Sequence, residues 1–418
     1  MATLNPVRGT QDILPDEHRL FRRVEETAHA VAARYGYGEI ATPIFEFSEV
    51  FSRTLGDASD IVTKEMYTFE DKGGEKITLR PEGTAGVVRA VISNGLRQNL
   101  PLKFFYRGPM FRYERPQKGR RRQFHQIGVE LLGVAEPLAD IEVVALGHHI
   151  LDELGLAAKV VLEINSLGDS DSRARYREQL VAYLSRFEDE LSADSRERLR
   201  RNPLRILDSK DERDHKIIAD APLLGDSLND GSRRFFDAVL AGLGDLGIAT
   251  QLNPRLVRGL DYYCHTAFEF TTSALGAQGT VLAGGRYDGL FGQMGAPDTP
   301  GIGWAAGIER LSMLIDAGNE EARPIAVVPI GASAEPHVLK LTQRLRRAGF
   351  AVDLGYSGNL GRRMKRADKV NASAAIIVGD DELARRAATV RDMDSGQQTE
   401  VSWDSLEQHL ERYRRVNG

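Results

Sequence analysis

Apolar residues return at helical spacing early in the chain. Across residues 16–36, Leu20, Val24, Thr27, Ala28 and Val31 fall near one face, which predicts an amphipathic helix. Tyr37–Phe47 then crowds aromatic and β-branched residues around Pro43, the pattern of one strand with an edge or a kink. Lys76–Leu79 predicts a short strand, and Pro81-Glu82-Gly83-Thr84 turns from it into the helical run Ala85–Ile92. Lys103–Glu114 and Gln123–Leu132 read as an antiparallel hairpin joined by a long polar loop, Arg115–Arg122. A helix over Asp140–Leu154 and a strand over Lys159–Ile164 follow.

From about residue 169 to 252 the pattern changes to helices rich in Ser, Asp and Arg (Ser172–Phe187, Ala193–Arg200), broken by NPLRILDSKDE. Strand patterns return at Arg255–Thr272 and Gly279–Gly284. Glycine and small residues dominate Gly301–Gly307, ahead of a helix over Ile308–Ala317. Beyond Pro324, strands at Ile325–Ile330, Ala351–Leu354 and Ala374–Val378 alternate with helices at Ala334–Arg347, Leu360–Val370 and Ser402–Arg414, a compact α/β domain. The expected division is a mixed α+β body over 1–168, a mostly helical insertion over 169–252, a return to the body over 253–322, and the α/β domain over 323–418.

The 418 residues suffice for several domains, and 42% hydrophobic with 28% charged is ordinary for a globular chain. Cys264 is the single cysteine, so an internal disulfide and a four-cysteine zinc site are excluded. The nine histidines show no HExxH spacing, and no dedicated metal site is expected. The first residues lack a signal-peptide core, and no run of about 18 apolar residues could span a membrane. A reducing cytoplasm is the expected location. The net charge of −5 argues against a general nucleic-acid binder, and no DNA partner is expected. From Pro324 onward 15 Lys and Arg face 12 Asp and Glu, a net of +3, whereas 40 against 48 leave the preceding part at −8. An acidic body with a mildly basic tail suits RNA contact by one module.

Chemistry concentrates in the hairpin FFYRGPMFRYERPQKGRRRQFHQIGVELLG. Strand alternation puts Arg112 and Glu114 on one face of the first strand, and Gln126, Gly128 and Glu130 on one face of the second. Taken alone, this is either a solvated sheet face or a substrate floor on which Arg112 and the loop arginines grip phosphates. No GxxxxGK[ST] loop is present, and Gly355–Gly361 completes no phosphate fingerprint, so it reads better as a helix-capping turn.

FRYERPQKGRRRQFHQIGVE (Phe111–Glu130) resembles the second motif of class II aminoacyl-tRNA synthetases in its histidyl form. GIGWAAGIERL (Gly301–Leu311) resembles the third motif, and GYGEIATPIFE (Gly36–Glu46) the first, the dimer motif. LVRGLDYY (Leu256–Tyr263) and GGRYDGL (Gly284–Leu290) look like the two histidine-specific segments of histidyl-tRNA synthetases. RGTQDILP near the start and TLRPEGT (Thr78–Thr84) fit the same family, in order and over nearly the whole chain.

The resemblance implies a class II fold, an antiparallel sheet flanked by helices, with a class IIa anticodon-binding domain at the C-terminus. It implies histidine, ATP and tRNA(His) as substrates, magnesium carried by ATP, no protein-bound cofactor, and a homodimer. Arg112 matches the arginine that bridges the ATP α-phosphate and the amino-acid carboxylate. Arg258 matches the principal catalytic arginine opposite it, and Arg310 the third-motif arginine on the phosphates. Glu114 falls where the family contacts adenine, and Arg120 where a γ-phosphate partner fits. Glu82, Gly83, Thr84 and Gln126 match positions holding the ammonium group and backbone of histidine, although Glu82 and Thr84 also suit a helix cap. Glu130 and Tyr263, with Tyr262 beside them, match the imidazole site. On the helix Leu360–Val370, Arg362, Arg363 and Lys365 suit RNA phosphates or a solvated face equally. The nearest alternative is a non-catalytic synthetase-like regulatory subunit of histidine biosynthesis.

Overall fold

The computed structural model describes residues 4–55, 61–207, 209, 211–257, 262–316 and 323–414. It divides into two compact units, Met1–Asp316 and Ala317–Gly418.

In the first unit the chain forms helix α1 (Pro15–Arg34), strands β1 (Gly38–Glu39), β2 (Phe45–Phe47), β3 (Tyr67–Glu70) and β4 (Lys76–Leu79), and helix α2 (Thr84–Ser93). The hairpin β5 (Leu102–Phe111) and β6 (Gln123–Leu132) leads to α3 (Pro137–Glu153) and β7 (Val161–Ser166). Four helices follow: α4 (Ser170–Leu184), α5 (Ala193–Arg201), α6 (Glu212–Ala219) and α7 (Asp230–Asp245). Strands β8 (Thr250–Leu252), β9 (Cys264–Thr271), β10 (Thr280–Arg286) and β11 (Gly301–Gly307) and the short α8 (Ile308–Ser312) close the unit.

Among the described residues, eight strands make one sheet in the order β1-β5-β6-β11-β10-β9-β7-β8. Its six middle strands are antiparallel, and β1 and β8 join the edges in parallel. Alternation makes the two faces different. Ile127, Val129 and Leu131 of β6 share one face with Ile302, Trp304 and Ala306 of β11, and these pack against α1, α3 and α7. Each large side chain buried on that face is worth about 1.5–3 kcal/mol. Trp304 keeps its indole satisfied there, its Nε1 donating to Val143 O at 3.0 Å. The other face of the same strands bears glycine, alanine and polar groups.

Several expectations need correction. Tyr37–Phe47 is not one strand: β1 pairs with β5 in the large sheet, and β2 pairs with β4 in a separate three-stranded sheet. Pro43 has no N–H for a ladder. The corner is instead held by Arg80, whose guanidinium donates to Thr42 O and Pro109 O at 2.9 Å. The predicted strand Arg255–Thr272 begins only at Cys264, and the helix over Ile308–Ala317 stops at Ser312. The helical stretch 169–252 ends inside the sheet, because β8 pairs with β7. Its last helix, α7, places Val239 and Leu243 in the core beside α3.

Buried Asp214 of α6 ties this helix to the start of α5. It accepts from Ser192 N and Ser192 Oγ at 2.8 Å, from Ser195 Oγ at 2.6 Å and from Ser209 Oγ at 2.5 Å.

The second unit contains β12 (Ile325–Pro329), α9 (Glu335–Arg347), β13 (Val352–Leu354), α10 (Leu360–Lys369), β14 (Ala374–Val378), β15 (Ala387–Asp392) and β16 (Gln398–Ser402). Strand order is β13-β12-β14-β15-β16, parallel for the first three and antiparallel thereafter. Ile325 and Val327 face a core shared with α9, while Ala326 and Ala375 pack with Ala367 of α10 on the other side. The predicted helix over Ser402–Arg414 begins at Leu406, since Ser402 still belongs to β16. Among the described residues no helix is long and apolar enough to cross a membrane.

Candidate active site

The small-residue face of the eight-stranded sheet is the floor of a cleft of about 300 Å³. Register explains the floor. Gln126, Gly128 and Glu130 stand opposite Gly307, Ala305 and Gly303, and Ala305 and Gly303 stand opposite Ala283 and Gly285 of β10. Opposed residues share a face, so a ligand can lie directly on the backbone. At Gly303 the reason for glycine is steric, because a Cβ would run into the Glu130 carboxylate and the Val129 carbonyl. Gly83 is glycine for the same kind of reason, its missing Cβ being occupied by the Tyr106 ring.

One end of the cleft is anionic and aromatic. Glu82, at the start of α2, accepts from Thr84 N at 2.6 Å and from Ala85 N at 2.8 Å, so it caps the helix. Burial raises its pKa, against those two bonds and the nearby Arg112. Thr84 Oγ1 donates to Glu130 Oε1 at 2.6 Å, and Tyr287 OH donates to Glu130 Oε2. Glu130 is fully buried and does not line the open cleft. Burial pushes its pKa up to about 8, partly offset by the bonds from Thr84 and Tyr287 and reinforced by Glu82. Tyr262 and Tyr263 form the wall, their ring centroids 4.6 Å apart, and Tyr287 meets Tyr262 edge-on at 5.8 Å. Gln126 also lines the cleft, and its Oε1 is buried without a hydrogen-bond partner. A buried orphan acceptor costs about 1–3 kcal/mol unless a donor arrives.

The other end is cationic. Arg112, Arg120, Arg121 and Arg310 line it beside Glu114 and Glu269. Arg310 donates from Nη1 to Thr280 O at 2.6 Å and from Nε to Gly119 O at 3.2 Å, which aims it across the floor. Burial lowers its pKa, and repulsion from Arg120 and then Arg112 adds to that. Guanidiniums that repel one another in a half-buried cleft are a site for a polyanion. Arg112 donates from Nε to Pro81 O at 2.9 Å, its guanidinium 5.4 Å from the Phe124 ring. Glu114 pairs with Arg120 at 2.8 Å.

Arg112 and Glu114 do not reach the cleft by strand alternation. Strand β5 stops at Phe111, and the chain turns out through Tyr113 N to Glu65 O at 2.7 Å and Glu114 N to Arg112 O at 2.8 Å. The loop is then braced by Arg122, which lies 3.8 Å from the Tyr113 ring centroid and donates its N–H to Gly9 O. Arg121 pairs with Glu17 at 3.1 Å. RGTQDILP thus supports the hairpin loop rather than floating free of it.

Of the expected site residues, Glu82, Thr84, Arg112, Glu114, Arg120, Gln126, Tyr262, Tyr263 and Arg310 line this one cleft. Gly83 and Glu130 lie directly beneath it. Arg258 lies outside the described residues. In the second unit, Arg362 and Lys365 are exposed on α10, but Arg363 turns inward onto Pro329 O, because positions 363 and 367 face the sheet.

Two features were not singled out from the sequence. Tyr287 closes the cage around Glu130. Arg286, beside it, is fully buried and paired with equally buried Asp140 of α3 and with Asp288. Burial opposes the Arg286 charge, but the two carboxylates hold its pKa above the ordinary value. Both lie in GGRYDGL, yet an arginine at the end of a strand and a tyrosine just past it carry no signal of burial until the partner strands are known.

The histidyl-tRNA synthetase family profile matches residues 9–311, and an anticodon binding domain profile matches residues 324–413. A histidine–tRNA ligase of Rhodospirillum rubrum is 62% identical over 414 residues, covering 99% of this chain and all of the relative. This chain belongs to the histidyl-tRNA synthetase family. The crystal structure of apo S. aureus histidyl-tRNA synthetase superposes with a TM-score of 0.82 at 38% identity, covering 97% of this chain and 99% of that one. A Bacillus halodurans structure described as an ATP phosphoribosyltransferase regulatory subunit/histidyl-tRNA synthetase shares the fold, with a TM-score of 0.67 at 22% identity, covering 91% of this chain and 99% of that one. The mixed fold with a large antiparallel-rich sheet and a C-terminal anticodon-binding domain is the family's.

Proposed function

We propose that this chain activates histidine with ATP, giving histidyl-adenylate and pyrophosphate, and then esterifies the 3′ end of tRNA(His). The observation that carries this reading is the polarity of one cleft, with carboxylates and tyrosines at one end and guanidiniums at the other. Between them lies a floor of glycine and alanine.

Histidine lies over the floor with its ammonium group at Glu82 and Thr84 and with Gln126 Oε1 accepting from it. Its imidazole is read between Glu130 and Tyr263. A buried site that offers a partner to each ring nitrogen rejects an amino acid lacking them by roughly 10⁴–10⁵. ATP lies toward Arg120 and Arg310, its adenine near Glu114. Arg112 spans the two substrates, between the histidine carboxylate and the α-phosphate. A carboxylate oxygen of histidine attacks the α-phosphorus, and the bond to the bridging oxygen of pyrophosphate breaks. Arg112, together with Arg258 in the role the family resemblance implies, stabilises the charge that develops on the α-phosphoryl oxygens. A terminal ribose hydroxyl of the tRNA then attacks the carbonyl carbon of the adenylate, and AMP leaves.

Magnesium enters with ATP as part of the substrate. The basic helix α10, through exposed Arg362 and Lys365, contacts tRNA phosphates. GYGEIATPIFE supports a homodimer, and the tRNA substrate supports a cytoplasmic location.

Amino-acid-dependent ATP–pyrophosphate exchange, screened across the twenty amino acids without tRNA, tests the reading. Exchange with histidine alone is expected. No exchange from folded protein would overturn it in favour of a non-catalytic regulatory subunit.

A further inference from the structure

The segment Leu256–Tyr263 carries two cleft-lining tyrosines, and both of its feet rest on one corner of the fold, the end of β7 and the start of α4. Leu256 and Tyr263, at its two ends, lie outside the strand ladders of β8 and β9, so their backbone carbonyls need other partners. Two side chains supply them. At the first foot, Asn165 Nδ2 of β7 donates to Leu256 O at 3.0 Å, and Asn253 N donates to Ile164 O at 3.0 Å. At the second foot, Arg173 Nη1 of α4 donates to Tyr263 O at 2.6 Å. Leu167 N then donates to His265 O at 2.6 Å, and His265 N to Gly168 O at 2.8 Å.

These last bonds hold His265 at φ 45°, a left-handed conformation that a non-glycine residue keeps only where its surroundings over-determine it. The corner itself is cross-linked by side chains. Asp169 caps α4 by accepting from Ser172 N at 2.8 Å, and Asn229 at the start of α7 donates to Asp169 at 2.6 Å.

We infer that Asn165 and Arg173 are positioning residues for histidine activation, holding the two feet of this segment at a fixed separation. The inference rests on the histidine-activating reading of the cleft. Neither side chain lines the cleft, so each acts through what it holds. Their grip fixes the Tyr262–Tyr263 wall, and it fixes the flanks of the stretch that carries Arg258 in sequence.

Steady-state ATP–pyrophosphate exchange on the full chain, with active sites titrated, tests this. Arg173→Met keeps the stem and removes the donor. It is expected to lower kcat roughly tenfold and raise the histidine KM several-fold, with the ATP KM within about twofold. Arg173→Lys is expected to recover most of the loss. Asn165→Leu is expected to give the same split, which keeps the test open if one variant fails to fold. Lower thermal stability with unchanged kinetics per titrated site at both feet would make the contacts merely structural and overturn the inference. A wild-type protein that supports no histidine-dependent exchange overturns the underlying reading instead, and this inference with it.

Discussion

The two large sheets of this chain solve opposite problems. In the second unit, β12 and β14 are buried along their whole length, with helices covering both faces. Small residues there, such as Ala326 and Ala375, let α10 approach closely. In the first unit, Ala283, Ala305 and Gly307 are equally small, but they line a cleft, with Gly303 making room for the buried Glu130 beside it, and the bulky residues of the same strands face the helices. A small side chain in a sheet therefore has two meanings, close helix packing or room for a ligand. The covering layer distinguishes them, and composition does not.

That difference is open to direct attack by enlarging each kind of position. Gly303→Ala drives a methyl into the Glu130 carboxylate. It is expected to lower kcat/KM for histidine by on the order of 10²-fold in pyrophosphate exchange, because displacement of about 1 Å at a reacting site costs that much. Ala326→Val is expected to cost about 1–3 kcal/mol in denaturant unfolding, the usual range for overpacking, and to leave exchange unchanged. A loss of exchange in the second variant, or none in the first, would erase the contrast.

The charged groups sharpen it further. Glu130 has its folded-state pKa raised from 4.5 to about 8, so between those values the folded chain holds a proton that the unfolded chain has lost. The stability this contributes is full below the unfolded value and is lost as pH rises toward 8. Denaturant unfolding should therefore show wild type losing about 1.4 kcal/mol per pH unit relative to Glu130→Gln across that window. A flat difference would place the proton elsewhere.

The smallest effects belong to the second unit's basic helix. Arg362→Ala and Lys365→Ala are expected to leave stability within about 0.5 kcal/mol. Each should weaken tRNA charging and reduce its salt slope by about one. Arg363→Ala is expected to act in reverse order, lowering stability more than charging, since its guanidinium is spent on Pro329 O.

Much of the site was legible because it lies in contiguous motifs. The hairpin, the start of α2 and the approach to α8 each hold their residues in one short run, and local pattern is enough for that. What the sequence withheld depends on distant partners. Arg112 and Glu114 share the cleft, but through a loop braced by Glu65 and Gly9, which alternation along β5 does not reveal. Arg363 looks like its neighbours in a basic run until helical phase turns it toward the sheet. Tyr37–Phe47 looked continuous because nothing local says that its two ends pair in different sheets. The antiparallel pair β15 and β16 has no alternation to read, because β15 is buried at the consecutive Ala387 and Ala388 while β16 is exposed except at Val401. The Arg286–Asp140 pair, 146 residues apart, becomes visible only when β10 meets α3.

The central claim is that one cleft, anionic and aromatic at one end and cationic at the other, holds histidine and ATP head to tail over a floor of glycine and alanine. A crystal structure with histidine and a non-hydrolysable ATP analogue tests it most directly. The account predicts the imidazole between Glu130 and Tyr263, the ammonium at Glu82, and the phosphates among Arg112, Arg120 and Arg310. Histidine bound among the arginines, or the nucleotide base seated at Glu130, would contradict it.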